Sequence, residues 1–379
     1  MAIDRLFLLM KEKAASDMFL AVNSPIQLKI DGIMYPINQQ KMDQAAILTL
    51  LSEVLTPDQR TVLQRDNELN VGIPVTGVGS FRLSAFRQRG SISAVIRYIP
   101  SHIPTMTDCY LPSILSELVM QKRGLMLVVG STGSGKSTTI ASMLDHRNET
   151  LSGHILTLED PIEFLFRNKK SIVNQREIGN DSVSLAVALK NALRQSPDCI
   201  LIGEIRDKET MSAAISYSQS GHLVVATLHA NNSYQALNRI INFFPLENRQ
   251  ALLTDLAATL RVVVSQRLVR TIDGGRRPAV EVMVNTRHVA DLIEKGEMGQ
   301  IKEAMEKSMS PGSQTFEQAL MQMIGDGVVT KEEAMEHADS ATNLFWLLNN
   351  KSEKKPVETP LPVKKPEQGA TFTEFTLNV

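Results

Sequence analysis

Cysteine is nearly absent: the chain has only Cys109 and Cys199, far apart. Two distant thiols exclude a disulfide framework and a four-cysteine zinc site, and they suit a reducing cytosol. Net charge is nearly absent as well. Forty basic against 41 acidic residues leave a formal charge of −1, so nothing global asks for nucleic acid or an anionic membrane as partner. Long apolar runs are missing. The run Leu6–Met10 is flanked by Arg5 and by Lys11-Glu12-Lys13. It is too short for a signal peptide, and no stretch approaches the roughly 20 residues of a transmembrane helix. No internal repeat is visible. The expectation is a cytoplasmic protein with no direct membrane insertion, whose membrane association runs through partners.

What is present is ordinary for a globular protein: 379 residues, 43% hydrophobic and 21% charged, enough for two or three cores. Residues 1–100 read as a small α+β domain. It has a helical start, a hairpin signal at Asp31-Gly32, a helical "AAILTLLSEVL", and three antiparallel strands in "ELNVGIPVTGVGSFRLSAFRQRGSISAVIRYIP". Pro100, Pro104 and Pro112 mark residues 101–115 as a linker. In residues 116–290 the short apolar runs "GLMLVVG", "HILTLED", "CILIGEI" and "HLVVATLHA" alternate with helical segments. That pattern fits a parallel sheet buried on both faces, an α/β class. Residues 291–350 are helical by pattern. The segment 351–379 reads as a disordered tail of Lys, Pro and Glu. It ends in "TFTEFTLNV", where Phe372, Phe375 and Leu377 give it the form of a docking peptide.

"GSTGSGKST", Gly130 to Thr138, matches the phosphate-loop pattern, with a strand-like run before it and a helix start after it. Glycines let backbone N–H groups turn inward around phosphate oxygens, and the helix N-terminus adds a positive dipole end. Ser131, Thr132, Gly133, Ser134, Gly135, Lys136, Ser137 and Thr138 are therefore the expected ATP-binding residues. Lys136 is assigned to the β/γ-phosphates, and Ser137 is a ligand for Mg²⁺.

Hydrolysis also needs a carboxylate near the metal and a group that orients water. "LTLEDPIEF" offers Glu159, Asp160 and Glu163, and "CILIGEIRD" offers Glu204. Strand ends in a parallel sheet face the ligand crevice, so both clusters are expected beside the loop rather than being solvated strand ends. In the second, Gly203-Glu204 stands where an Asp is common. His222 and His229 bracket "LVVATL" and are expected on the nucleotide side. No ligand spacing marks them as a zinc site. Arg82, Arg87, Arg89 and Arg97 lie in the N-terminal meander, where each is by default a solvated strand-face charge.

The order of these four motifs resembles the Walker A, Asp box, Walker B and His box of the secretion-type ATPases of type II secretion and type IV pili. The resemblance runs from residue 1 to about 290. Within that superfamily it resembles the PilT/PilU pilus retraction ATPases. "LRQSPD" has Ser196 where that family often carries an acid. "HVADLIEKGEMGQI" lacks the arginine of the "AIR" motif, and a long tail follows. These features resemble the accessory, PilU-like branch.

The resemblance implies a RecA-like P-loop ATPase domain behind an N-terminal α+β PAS-like domain, in a homo-hexamer. It implies ATP hydrolysis with Mg²⁺ to drive pilus retraction and twitching motility. A PilT-like ATPase and the inner-membrane pilus platform protein would be partners, with no nucleic acid. It assigns Glu163 to orienting water and Glu204, with Ser137, to the metal. His222 and His229 become relay or sensor residues. Arg82 and Arg97, less firmly Arg87 and Arg89, become phosphate-holding arginines that act across the domain boundary. Other readings of the same motifs are a type II secretion or pilus assembly ATPase, which usually carries a four-cysteine insertion, a DNA translocase, and a non-catalytic ATP-binding structural subunit.

Overall fold

The computed structural model describes residues 2–30, 32–99, 102–307 and 312–351. Asp31, Pro100 and the tail calls at Phe372, Phe375 and Leu377 lie outside the described residues.

The first sheet holds β1 (Asp17–Leu20), β2 (Gln27–Ile30), β3 (Ile33–Pro36), β4 (Glu68–Val75), β5 (Gly79–Gln88) and β6 (Ser91–Ile99). It is antiparallel, in the order β3-β2-β1-β6-β5-β4. Two-residue hairpins explain part of the order. Gly32, at φ +84°, turns β2 into β3, and Arg89-Gly90, at φ +46° and +83°, turns β5 into β6. Positive φ at both central residues is the primed turn that matches strand twist. The helix Ala2–Glu12 closes one face through Ile3, Phe7 and Met10, and the Phe7 ring stacks on Phe81 at 4.1 Å.

The second sheet holds β7 (Gly124–Val129), β8 (Gly153–Glu159), β9 (Ser171–Glu177), β10 (Cys199–Ile202), β11 (Leu223–Leu228), β12 (Leu260–Arg270) and β13 (Arg276–Val284). Its order is β13-β12-β7-β11-β10-β8-β9, parallel except for the β12/β13 hairpin. The four apolar runs are its central strands β7, β8, β10 and β11. All six residues of β7 and of β11 are buried, as helices on both faces require. Leu125, Leu127 and Val129 face one core with Leu237 and Leu256. Met126 and Val128 face another with Ile140, Met143 and Leu144 of the helix Lys136–Thr150. Period-2 alternation thus builds two cores from one strand.

After β13 come the helices Arg287–Lys295, Ile301–Glu306, Phe316–Gly325, Lys331–His337 and Ala341–Lys351. Phe316, Leu320, Val329, Ala334 and Leu344 form a separate small core on Val269 and Ala279 of the β12/β13 hairpin.

Candidate active site

The phosphate loop follows β7 at the C-terminal edge of the parallel sheet. Gly130, Gly133 and Gly135 have φ of +156°, +78° and +90°. At two of these positions an added side chain would also meet Gln266. A Cβ on Gly130 would stand 2.6 Å from the Gln266 carbonyl, and one on Gly135 would stand 2.9 Å from Gln266 Nε2. The helix Lys136–Thr150 starts at Gly135 with no side-chain cap, which leaves its first N–H groups for an anion. The Ser134 hydroxyl is buried with no hydrogen-bond partner. Ser131 and Thr132 are exposed, while Ser137 and Thr138 are half-buried. The Lys136 ammonium folds back and donates to Gly130 O at 2.9 Å and Ser131 O at 2.8 Å. Burial lowers its pKa, and the charges of Glu204 and Glu163 act in the opposite sense.

β8 ends in Glu159, which is 9% exposed. Its carboxylate accepts from Thr157 Oγ1 at 2.6 Å and Gln175 Nε2 at 3.1 Å. Burial raises its pKa against these donors. Glu159 is therefore a positioned, internally satisfied group, and Gln175, which also donates to Phe164 O at 2.8 Å, ties it to the turn that presents the exposed Glu163. β10 is followed by Gly203, where a Cβ would lie 3.0 Å from Leu158 O. Close approach of neighbouring strand ends thus explains the glycine before Glu204. Glu204 Oε2 accepts from Arg206 Nε at 2.6 Å, and Glu204 Oε1 lies 3.3 Å from His229 Nε2. Arg206 also reaches Asp160, at 3.7 Å.

The two histidines part company. His229 follows β11 on the loop side and meets Glu204. His222 precedes β11, and β11 runs in register with β7 from Leu223↔Gly124 to Leu228↔Val129. His222 O accepts from Gly124 N at 3.1 Å, and its ring Nδ1 sits 3.1 Å from Tyr217 O. It therefore lies at the opposite edge of the sheet, roughly 20 Å of strand away. The expectation that it faces the nucleotide is corrected, because a parallel strand carries its two ends to opposite edges.

The arginines divide as well. Arg82 donates to Ile162 O at 2.5 Å, from the first sheet to the turn after β8. Burial lowers its pKa, and Glu177, Glu163 and Glu159 pull the other way. Arg97, its cross-strand neighbour, is instead ion-paired with the buried Asp17 at 2.8 Å. Arg89 occupies the β5/β6 turn, and the exposed Arg87 side chain donates to Gly90 O in that turn, at 3.5 Å. Both lie at the end of the hairpin, away from Arg82.

Three residues the motifs do not mark also shape the site. Gln266 accepts from Thr139 Oγ1 at 2.7 Å and walls the phosphate loop. Arg206 holds Glu204. Glu177 accepts from Ile162 N at 3.0 Å and so fixes the turn that Arg82 touches. A polar Ser-Gln pair inside the apolar run of β12 is the signal that would have pointed to Gln266.

A phosphate loop at the carboxyl edge of a parallel sheet, faced by strand-end carboxylates, defines a P-loop nucleotide-binding protein. Residues 2–336 match the model of the type II/IV secretion system protein family, and the chain belongs to that family. It is 44% identical over 354 residues to the type IV pilus ATPase PilU of Pseudomonas aeruginosa, covering 93% of each chain. It is 37% identical to the type IV pilus retraction ATPase PilT of the same bacterium, over 90% of this chain and 100% of that one. A crystal structure of the pilus retraction motor PilT with bound ADP matches with a TM-score of 0.84 at 38% identity, over 90% of this chain and 99% of that one. The resemblance carried by the four motifs is borne out, as is the expected fold of a RecA-like P-loop domain with an N-terminal α+β PAS-like domain.

Proposed function

We propose that the chain is an ATPase that drives type IV pilus retraction, acting as a homo-hexamer and as an accessory to a PilT-like motor. In this reading it sits in the cytoplasm against the inner-membrane platform protein. The observation that carries the reading is the site itself: a phosphate loop after β7, Glu204 and His229 meeting after the neighbouring strands β10 and β11, and Arg82 reaching the turn after β8 from a second sheet. Its support beyond the site is the likeness to PilU and PilT.

The residues fit Mg-ATP. Glycine positions that a Cβ would fill, an uncapped helix N-terminus and the unpartnered Ser134 hydroxyl form a cradle of donors without acceptors. In use, Lys136 exchanges two backbone carbonyls for β/γ-phosphate oxygens. Ser137 and Glu204 would hold Mg²⁺, which when bound supplies positive charge across those phosphates. Glu163 orients the water that attacks the γ-phosphorus, and ADP and phosphate leave. His229 follows the state of Glu204. Arg82 links the turn to the first sheet, so a change at the phosphates is felt by a separate body of the chain. His222 has no part in this scheme.

The test is steady-state hydrolysis by the purified chain, alone and mixed with a PilT-like ATPase. Mg²⁺-dependent turnover that Lys136→Ala abolishes is expected, rising in the mixture. ATP binding with no turnover under either condition would make the chain a non-catalytic subunit. No helix among the described residues is long and apolar enough to cross a membrane.

A further inference from the structure

The loop His229-Ala230-Asn231-Asn232 leaves β11 beside Glu204 and enters the helix Ser233–Asn242. It is held at three places by groups distant in sequence. Ser233 N donates to the buried Glu281 at 2.8 Å. Asn232, 2% exposed, donates from Nδ2 to Asp339 Oδ2 at 2.9 Å while its Oδ1 caps the helix at Gln235 N. Asn231 O accepts from Arg267 Nη2 at 3.1 Å.

Arg267 and Asp339 also bind each other. The Arg267 guanidinium pairs with Asp339 Oδ1, donates to His337 O at 2.5 Å and lies 3.9 Å from the Phe316 ring centre. Neither side chain is more than 19% exposed. Asp339 is itself fixed by its neighbour: Ser340 N donates to the fully buried Glu317, which is ion-paired with Lys302. Arg267 follows Gln266, the residue that walls the phosphate loop. Alternation on one strand thus sends Gln266 to the phosphate loop and Arg267 to the His229 loop.

Resting on the ATPase reading above, the geometry points to Arg267 and Asp339 as positioning residues for hydrolysis. They lock the loop that aims His229 at Glu204, and they make the helical segment from Phe316 onward part of the hydrolytic apparatus. A planar guanidinium with fixed donors suits this clamp, because it binds two backbone carbonyls and a carboxylate together.

The experiment is a double-mutant cycle with a structural readout. Arg267→Ala should lower kcat roughly tenfold while the Kd for a fluorescent ATP analogue stays within about twofold, because the guanidinium bonds Asn231, His337 and Asp339 rather than the phosphate loop. In a His229→Ala background the same substitution should change kcat by less than about twofold, the two acting through one loop. Arg267→Lys, which keeps the charge, should recover part of kcat. Amide exchange in nucleotide-free protein should speed up over residues 228–238 in Arg267→Ala. Asp339→Asn, which preserves shape, should reproduce these changes if Arg267→Ala folds poorly. Additive losses in the cycle, equal losses of affinity and kcat, or unchanged exchange over 228–238 in the folded variants would each overturn the clamp. Absence of turnover in the wild-type chain would instead remove the ATPase reading, and exchange would still decide whether the loop is held.

Discussion

Arg82 and Arg97 stand side by side on adjacent strands, yet their substitution by alanine should have opposite signatures. Arg82 is committed to the other sheet through Ile162 O. A hydrogen bond from a charged donor contributes about 1.5–3 kcal/mol. Folding of the first sheet does not use it, since Phe7, Phe81 and Leu83 make that core without it. If the contact tightens only as the two sheets close on ATP, its loss falls on turnover and corresponds to a drop in kcat/KM of roughly 10- to 100-fold. Arg97 is committed within the first sheet, to Asp17. The aspartate is 8% exposed but the arginine 61%, so solvent screens the pair and its loss costs about 1 kcal/mol. That should appear as a melting temperature lower by about 2–4 °C with turnover nearly intact.

The assay is steady-state ATPase kinetics and thermal melting on both single variants. Equal losses of turnover at unchanged melting temperature would show that the two arginines act alike on the nucleotide, and the geometric division would be wrong. Normal turnover in Arg82→Ala would reduce it to a tether between sheets.

The two acidic assignments separate in a similar way. Glu163→Gln should bind Mg-ATP tightly and hydrolyse it at least roughly 100-fold more slowly, whereas Glu204→Gln should need more Mg²⁺ for half-maximal activity; normal, equal kinetics in both would refute the roles. Glu281 is buried and its pKa is raised by that burial, despite donors from Ser233 and Ser265. Its folded pKa lies above its unfolded value, so its contribution is fully present below the unfolded pKa and is lost as pH rises through the folded one. Melting temperature should therefore fall more in the wild type than in Glu281→Gln as pH rises above the ordinary carboxylate range; parallel curves would show that the group does not titrate over the range scanned. Removing residues 352–379 should leave ATPase activity unchanged and weaken co-purification with a PilT-like hexamer or the platform protein; unchanged capture would leave the segment without that role.

The central strands were legible because each is a short apolar run closed by a glycine, a carboxylate or a histidine. The phosphate loop was legible because its chemistry demands glycines at fixed spacing. β9, β12 and β13 were not read. Edge position leaves β9 only partly buried, and β12 carries Ser265, Gln266 and Arg267 in mid-strand. Polar residues there blur an apolar signal, and they do so because they face the phosphate loop and the loop after β11. The strand that looked least like a strand is thus the one that connects the site to its surroundings.

His222 and Arg97 show a different limit. Both belong to patterns that point to the nucleotide, and residue type and spacing are the same whether or not they reach it. Strand direction decides for His222: parallel pairing with β7 fixes which end of β11 shares an edge with the phosphate loop. Competition decides for Arg97, because a buried carboxylate directly opposite on the neighbouring strand β1, 80 positions away in sequence, claims the guanidinium first. Arg267 and Asp339 are the converse case. Nothing in "SQRLV" or "HADSA" marks either one. They become partners only when the helices after β13 fold back onto the β12/β13 hairpin and bury Phe316 against Val269. Apolar packing, which carries no chemical role of its own, thereby selects which charged groups meet beside the site.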